Sequence, residues 1–236
     1  MMRPRVITLV AVIAMSADVS LPAQSLLQRL LRIAGLTAAP SQLRGPGEEV
    51  GSGNIWMADL DRRTQQALTT DGDYRSPVFS PADGNIYALR AQTIVRVPAG
   101  GTPPPIKIAG VVKLVGFDSQ NPDELIVLVK ADSGRSPLAV VSIKSGTVTT
   151  LPFEAKSDEE RRMLAQIQAE DRIYGETKVY TKRDSKQGLA RKIEWSDVYV
   201  QRGTAPPQNV SACDGIMCGQ PALSPDGRRV AFIKGV

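Results

Sequence analysis

The stretch Gln220–Ile233, QPALSPDGRRVAFI, reads as strand, tight turn, strand. Pro221 to Leu223 lead in, and Ser224-Pro225-Asp226-Gly227 makes the turn. Pro225 presets φ at the second turn position, Asp226 can bond its own backbone, and Gly227 supplies the positive φ that closes it. Arg228 to Ile233 leads out, with Val230 and Phe232 on one face. Two weaker copies lie upstream. Ser76–Leu89, SPVFSPADGNIYAL, has the same lead-in, then Ser80-Pro81-Ala82-Asp83-Gly84 and an outgoing strand. Val115–Leu128, VGFDSQNPDELIVL, keeps the flanking strands and has lost the glycine. Repetition of this kind points to an architecture built from one supersecondary unit.

Working outward from these copies, period-2 patterns between turn signals set out the strands. Asn54–Leu60 and Gln65–Thr69 come first. A first unit holds Pro77–Phe79, Asn85–Leu89, Thr93–Val97 and Ile106–Ala109. A second holds Val111–Phe117, Glu124–Lys130, Pro137–Ile143 and Thr147–Leu151. Each spans roughly 40 residues, the length of a four-stranded propeller blade. The third unit is irregular. Its strands are expected at Thr177–Thr181, Asp197–Gln201 and Gln208–Ser211, and Ser157–Tyr174 reads as an inserted helix where the first strand belongs. Ser157 and Glu160 match a capping box. Met163, Leu164 and Ile167 form an apolar stripe, Arg161 and Arg162 lie on the wet side, and Gly175 stops the helix.

The pattern resembles the TolB-like β-propeller repeats, the WD-like repeats of exported bacterial proteins. In these a strand ending in Ser-Pro-Asp-Gly precedes a strand such as Arg229–Ile233. Ser224-Pro225-Asp226-Gly227 matches fully, and Ser80, Pro81, Asp83 and Gly84 match with one residue inserted. The resemblance covers roughly residues 54–233. It implies an all-β propeller of four-stranded blades, in an envelope protein that binds other proteins. The chain opens its β-region with two outer-type strands and ends it with two inner-type strands. Paired, they would make one further sheet, giving four blades and hiding two open edges. A fragment of a larger propeller, or two chains sharing a ring, is the competing arrangement.

Before the β-region the sequence changes character. Met1–Arg5 is basic, Val6–Met15 is an uncharged apolar run, and Ser16–Ala23 is small and polar. This is a secretory leader over 1–23, too short for a bilayer span and expected to be cut before Gln24. An uncut anchor is the other reading. Ser25–Ile33 carries a helical leucine stripe, packed on the β-domain or lying on a membrane surface. Thr37–Gly53 is a linker, so 24–53 joins the leader to a β-domain over 54–236. The expected location is periplasmic or secreted. In that setting Cys213 and Cys218 should pair. Zinc would need further ligands, and a redox pair a shorter spacing at a helix start.

Composition removes several chemistries. With 42% hydrophobic residues the chain can build a core. It has no histidine, which excludes a Ser-His-Asp triad, a Cys-His pair and histidine metal ligands. The net charge of +5 is scattered along the chain, with no stripe of basic residues and interleaved aromatics, so nucleic acid is not an expected partner. Asp158, Glu159 and Glu160 suit helix capping better than catalysis. Asp73, Asp83, Asp123 and Asp226 suit turns, where Asx geometry explains them. The reading is therefore a non-catalytic binding module with no cofactor or metal, a monomer whose partner is another envelope protein; the inserted helix either fills space in an irregular blade or presents Arg161 and Arg162 as the partner surface. The alternative is a hydrolase-associated or carbohydrate-active propeller working through carboxylates.

Overall fold

The computed structural model describes residues 51–98, 104–118, 120–130, 138–151, 158, 172–188 and 192–236. The expected leader, the Ser25–Ile33 helix, and Arg161, Arg162, Met163, Leu164 and Ile167 lie outside the described residues. The chain forms β1 (Asn54–Asp59) and β2 (Thr64–Ala67), then β3 (Tyr74–Phe79), β4 (Ile86–Arg90), β5 (Thr93–Val97) and β6 (Ile106–Lys107). Next come β7 (Val111–Phe117), β8 (Glu124–Val129), β9 (Leu138–Ser142) and β10 (Val148–Leu151). After them are β11 (Arg172–Tyr174), β12 (Thr177–Gln187), β13 (Lys192–Arg202) and β14 (Gln208–Asn209). The last are β15 (Cys218–Leu223) and β16 (Arg229–Lys234). They make four antiparallel four-stranded sheets. Three are consecutive, and the fourth has the order β15-β16-β1-β2.

That split sheet is the one expected from the sequence. β1 pairs with β16 over its whole length, from Asn54 opposite Lys234 to Asp59 opposite Arg229. Val230, Ala231, Phe232 and Ile233 are all fully buried, because both faces of β16 are covered. Ala231 and Ile233 join Ile55, Tyr74 and Ile86 in a core shared with the β3–β6 sheet. Val230 and Phe232 join Ala58, Val179, Val198 and Val200 in a core shared with the β11–β14 sheet. A third core lies between the β3–β6 and β7–β10 sheets and includes Leu89, Phe117, Leu125 and Val141. Each fully buried Phe or Ile side chain contributes about 1.5–3 kcal/mol, so these cores bind neighbouring sheets face to face. At the start of β1 the backbones meet closely. A Cβ added at Gly53 would stand 2.3 Å from the Lys234 carbonyl oxygen, so only glycine fits.

The third unit departs from expectation in two ways. Arg172–Tyr174, placed in the helix by the sequence, is strand β11, paired with Thr177–Val179. The sheet therefore has its first strand, and the expected helix does not replace it. The reason is local. Gly175, with φ of 58°, is the first residue of a two-residue hairpin turn, a punctuation mark that a helix end would also use. Of the rest of that helix only Asp158 is described, in helical conformation. The second departure is length. β12 and β13 run eleven residues each, in register from Thr177 opposite Arg202 to Gln187 opposite Lys192. Their inner halves are buried through Val179, Thr181, Val198 and Val200. Their outer halves, Lys182–Gln187 and Lys192–Glu194, are exposed and form an arm.

Candidate binding site where the first strands meet

The repeat turns are structural. In the last unit the Gly227 N–H donates to the Ser224 carbonyl at 2.9 Å, and the Ser224 hydroxyl donates to Asp226 and accepts from the Arg229 N–H. In the first unit the inserted residue shifts the closing bond by one position. There the Gly84 N–H reaches the Ser80 carbonyl, and the Asn85 N–H donates to Asp83. Both serines are buried, and both glycines have φ near 70°. Hydrogen bonds from Ser224 and from the Arg228 backbone hold the Asp226 carboxyl below its usual range. Burial pushes the Asp83 carboxyl up, but hydrogen bonds from Asn85 and Ser80 outweigh it, and its pKa falls below the ordinary value. A carboxyl that gives up its proton so easily is a poor general acid. Asp83 and Asp123 do come together, lining a groove of about 320 Å³ with Tyr87 and Lys144, but Asp123 already pairs with the Lys144 ammonium.

The more open site is at the other ends of the first strands. A small cavity of about 10 Å³ is lined by Ser76 and Pro77 of β3, Lys113 and Leu114 of β7, Arg172 of β11, and Gln220 and Pro221 of β15. All four sheets therefore bring their first strands to one place. The space holds about one water. Lys113 and Arg172 are both buried there. Above it opens a cavity of about 590 Å³, whose lining includes Asp73, Arg75, Arg90, Val112 and Gln220.

Its walls are shaped by two matching irregularities. Ser76 and Gln220 have φ of 51° and 53°, the left-handed region that non-glycine residues rarely adopt, and each precedes a proline. Each lies at a register shift of its strand. The Gln220 side chain spans the gap between them. Its oxygen accepts the Ser76 N–H, and its Nε2 donates to the Gly51 carbonyl at 3.0 Å. Bulges re-aim the backbone, and here they do so where two first strands face each other. Arg75 donates to the Ala91 carbonyl at 3.0 Å, and Arg90 pairs with Asp71 at 2.6 Å while lying over the Tyr74 ring. Burial, and then the Asp71 charge, push the Tyr74 hydroxyl above its usual pKa.

None of Ser76, Lys113, Arg172 and Gln220 stood out as site residues in the sequence. One signal was present: Ser76-Pro77 and Gln220-Pro221 each lie four residues before their Ser-Pro turn. The expected cysteine pair is a disulfide between Cys213 and Cys218, with a Cα–Cα distance of 6.3 Å. Both cysteines are buried in the core between the last two sheets. The loop that carries them is anchored on β13. There the Cys213 N–H donates to Asp197, and the Ser196 hydroxyl donates to the Cys218 carbonyl. Among the described residues no group of three or more Cys, Asp or Glu side chains could hold a metal ion, and no helix is long and apolar enough to cross a membrane.

No family model matches the chain, and no curated protein does. A solved structure described as a TolB candidate from Agrobacterium tumefaciens aligns over 80% of this chain and 100% of its own, with 12% identity and a TM-score of 0.45. The fold described above rests on the sheets and their cores, not on that likeness.

Proposed function

We propose that this chain is a non-catalytic, exported propeller of the cell envelope that binds another protein at the cavity above the four first strands. The observation that carries the reading is the convergence of β3, β7, β11 and β15 on one nearly filled passage beneath an open cavity of mixed polar and apolar lining. A passage with room for one water suits recognition at its rim better than enclosure of a substrate. The cavity offers arginine, a re-aimed backbone and the exposed apolar side chain of Val112, a mixture typical of protein recognition. In this reading the four sheets close into a ring, with β7–β10 beside β11–β14, and the protein works as a monomer. The buried disulfide supports an oxidising compartment.

A photo-crosslinking side chain at Val112 tests it, with Val148 on an outer strand as the control. Both positions are exposed, at 44% and 39%. Val112 should capture one discrete envelope protein that Val148 does not. Equal capture from both positions, or none from Val112, would overturn the reading.

A further inference from the structure

The β12–β13 arm has no part in the cavity, yet its two strands, at eleven residues each, are the longest among the described residues. We infer that its outer half docks an acidic, extended segment of a partner protein as an added strand. Six exposed residues of β12 project by about 20 Å at ~3.4 Å per residue. A two-stranded ribbon is marginal on its own, and this one is braced at its base. Tyr180 and Tyr199 stack across the strands at 5.7 Å, with the Lys178 ammonium over one ring and the Lys182 ammonium over the other. A rigid base costs an incoming strand little ordering.

Among the described residues, both edges of the arm lack a strand partner. β11 stops its pairing at Val179 and β14 at Tyr199; beyond β14 the disulfide loop and its lead-in bond to Val198, Asp197 and Ser196 at the arm's base, and no strand pairs with the part farther out. Lys182 and Lys186 are exposed along this part beside one exposed carboxylate of β12, Asp184; Lys192 is exposed but paired with Glu194 at 2.7 Å, and Ile193, directly across from Lys186, is 43% exposed. Lysines on an edge strand ordinarily keep it from pairing with copies of itself. The same charges select a complement: a second arm is repelled, while a strand bearing Asp or Glu at alternate positions gains both the backbone ladder and the charge pairing. Nucleic acid fits less well, because lysine side chains cover the stacked rings that bases would need. An anionic membrane fits less well too, because Ile193 is a single apolar contact.

The test uses the full chain and a fluorescent ten-residue peptide of alternating Glu and Val. Fluorescence anisotropy should show binding that weakens with added salt. Lys182→Glu with Lys186→Glu should weaken it at least tenfold, and Lys182→Gln with Lys186→Gln by less. Arg75→Glu in the cavity should leave it unchanged, which separates this surface from the proposed protein site. Methylating alternate backbone nitrogens of the peptide keeps its charge and removes its ladder, so binding should again fall at least tenfold. Unchanged binding by the methylated peptide would reduce the effect to charge alone and overturn strand addition. Absence of peptide binding would also overturn it. So would tighter lysine-dependent binding of oligothymidine or of phosphatidylglycerol vesicles.

Discussion

The split sheet and the β11–β14 sheet are built on one plan and end differently. In the split sheet no strand exceeds six residues, and β16 is covered on both faces. In the β11–β14 sheet the middle strands run eleven residues, and their outer halves touch no core. The inner part of each sheet is cut to a common length by the neighbours it must pack against. Past that length packing stops deciding, and the strand pair must hold itself through cross-strand contacts such as Tyr180 with Tyr199. Core packing therefore holds the split sheet along its whole length, while the arm is the part that sequence change can alter at least cost to stability.

The largest test removes residues 220–236. This takes away β16, leaves β1 with an open edge, and removes Ala222, Ala231 and Ile233 from one core and Leu223, Val230 and Phe232 from another. The product should be insoluble or lack a cooperative melt. A melt at the full-length temperature would break the comparison. Phe232→Ala should cost about 3–5 kcal/mol, read as a fall in the denaturant midpoint, because the side chain is fully buried. Replacing Cys213 and Cys218 by alanine should cost about 2 kcal/mol by the same measurement, since the closed loop is short.

Asp226→Asn probes the turn through pH. The folded pKa lies below the unfolded value of about 3.9. The stabilisation is therefore present above that pH and is lost as pH falls through the folded value. Asp226 is exposed, so the gap in melting temperature between wild type and variant should be small at pH 7 and should close further below about pH 4. A gap that widened on acidification would contradict this. The smallest effect is expected in the arm. Replacing 184–195 by Asn-Gly places a two-residue turn between Arg183 and Ser196, which already face each other. The loss should stay within about 1 kcal/mol.

Much of this was legible locally. Ser224-Pro225-Asp226-Gly227 announces its turn through residue chemistry, and Val230 and Phe232 mark a core face by alternation. Even the pairing of β1 with β16 followed from leftover strands at each end of the repeat. The arm was not legible, because TKRDSKQ and KIE are polar on both faces, and a ribbon wet on both sides leaves no hydrophobic alternation to read. Nor were the bulges at Ser76 and Gln220. Positive φ at such residues is locally unfavourable and persists through the Gln220 side chain, which bonds to residues distant in sequence. The face on which Lys178, Tyr180, Lys182, Asp184, Trp195 and Tyr199 meet is likewise complete only once β12 and β13 pair.

The pairing of Asn54 with Lys234 also has a consequence in time. Strand β1 emerges from the ribosome long before β16, and the loop between them is nearly the whole β-region. Closing such a loop costs entropy before any contact repays it. The three consecutive sheets can form as they are made, but the split sheet must wait for the last residues. Until then β1 presents an apolar edge to whatever lies nearby, and a chaperone would have its strongest claim on the nascent chain at Asn54–Asp59.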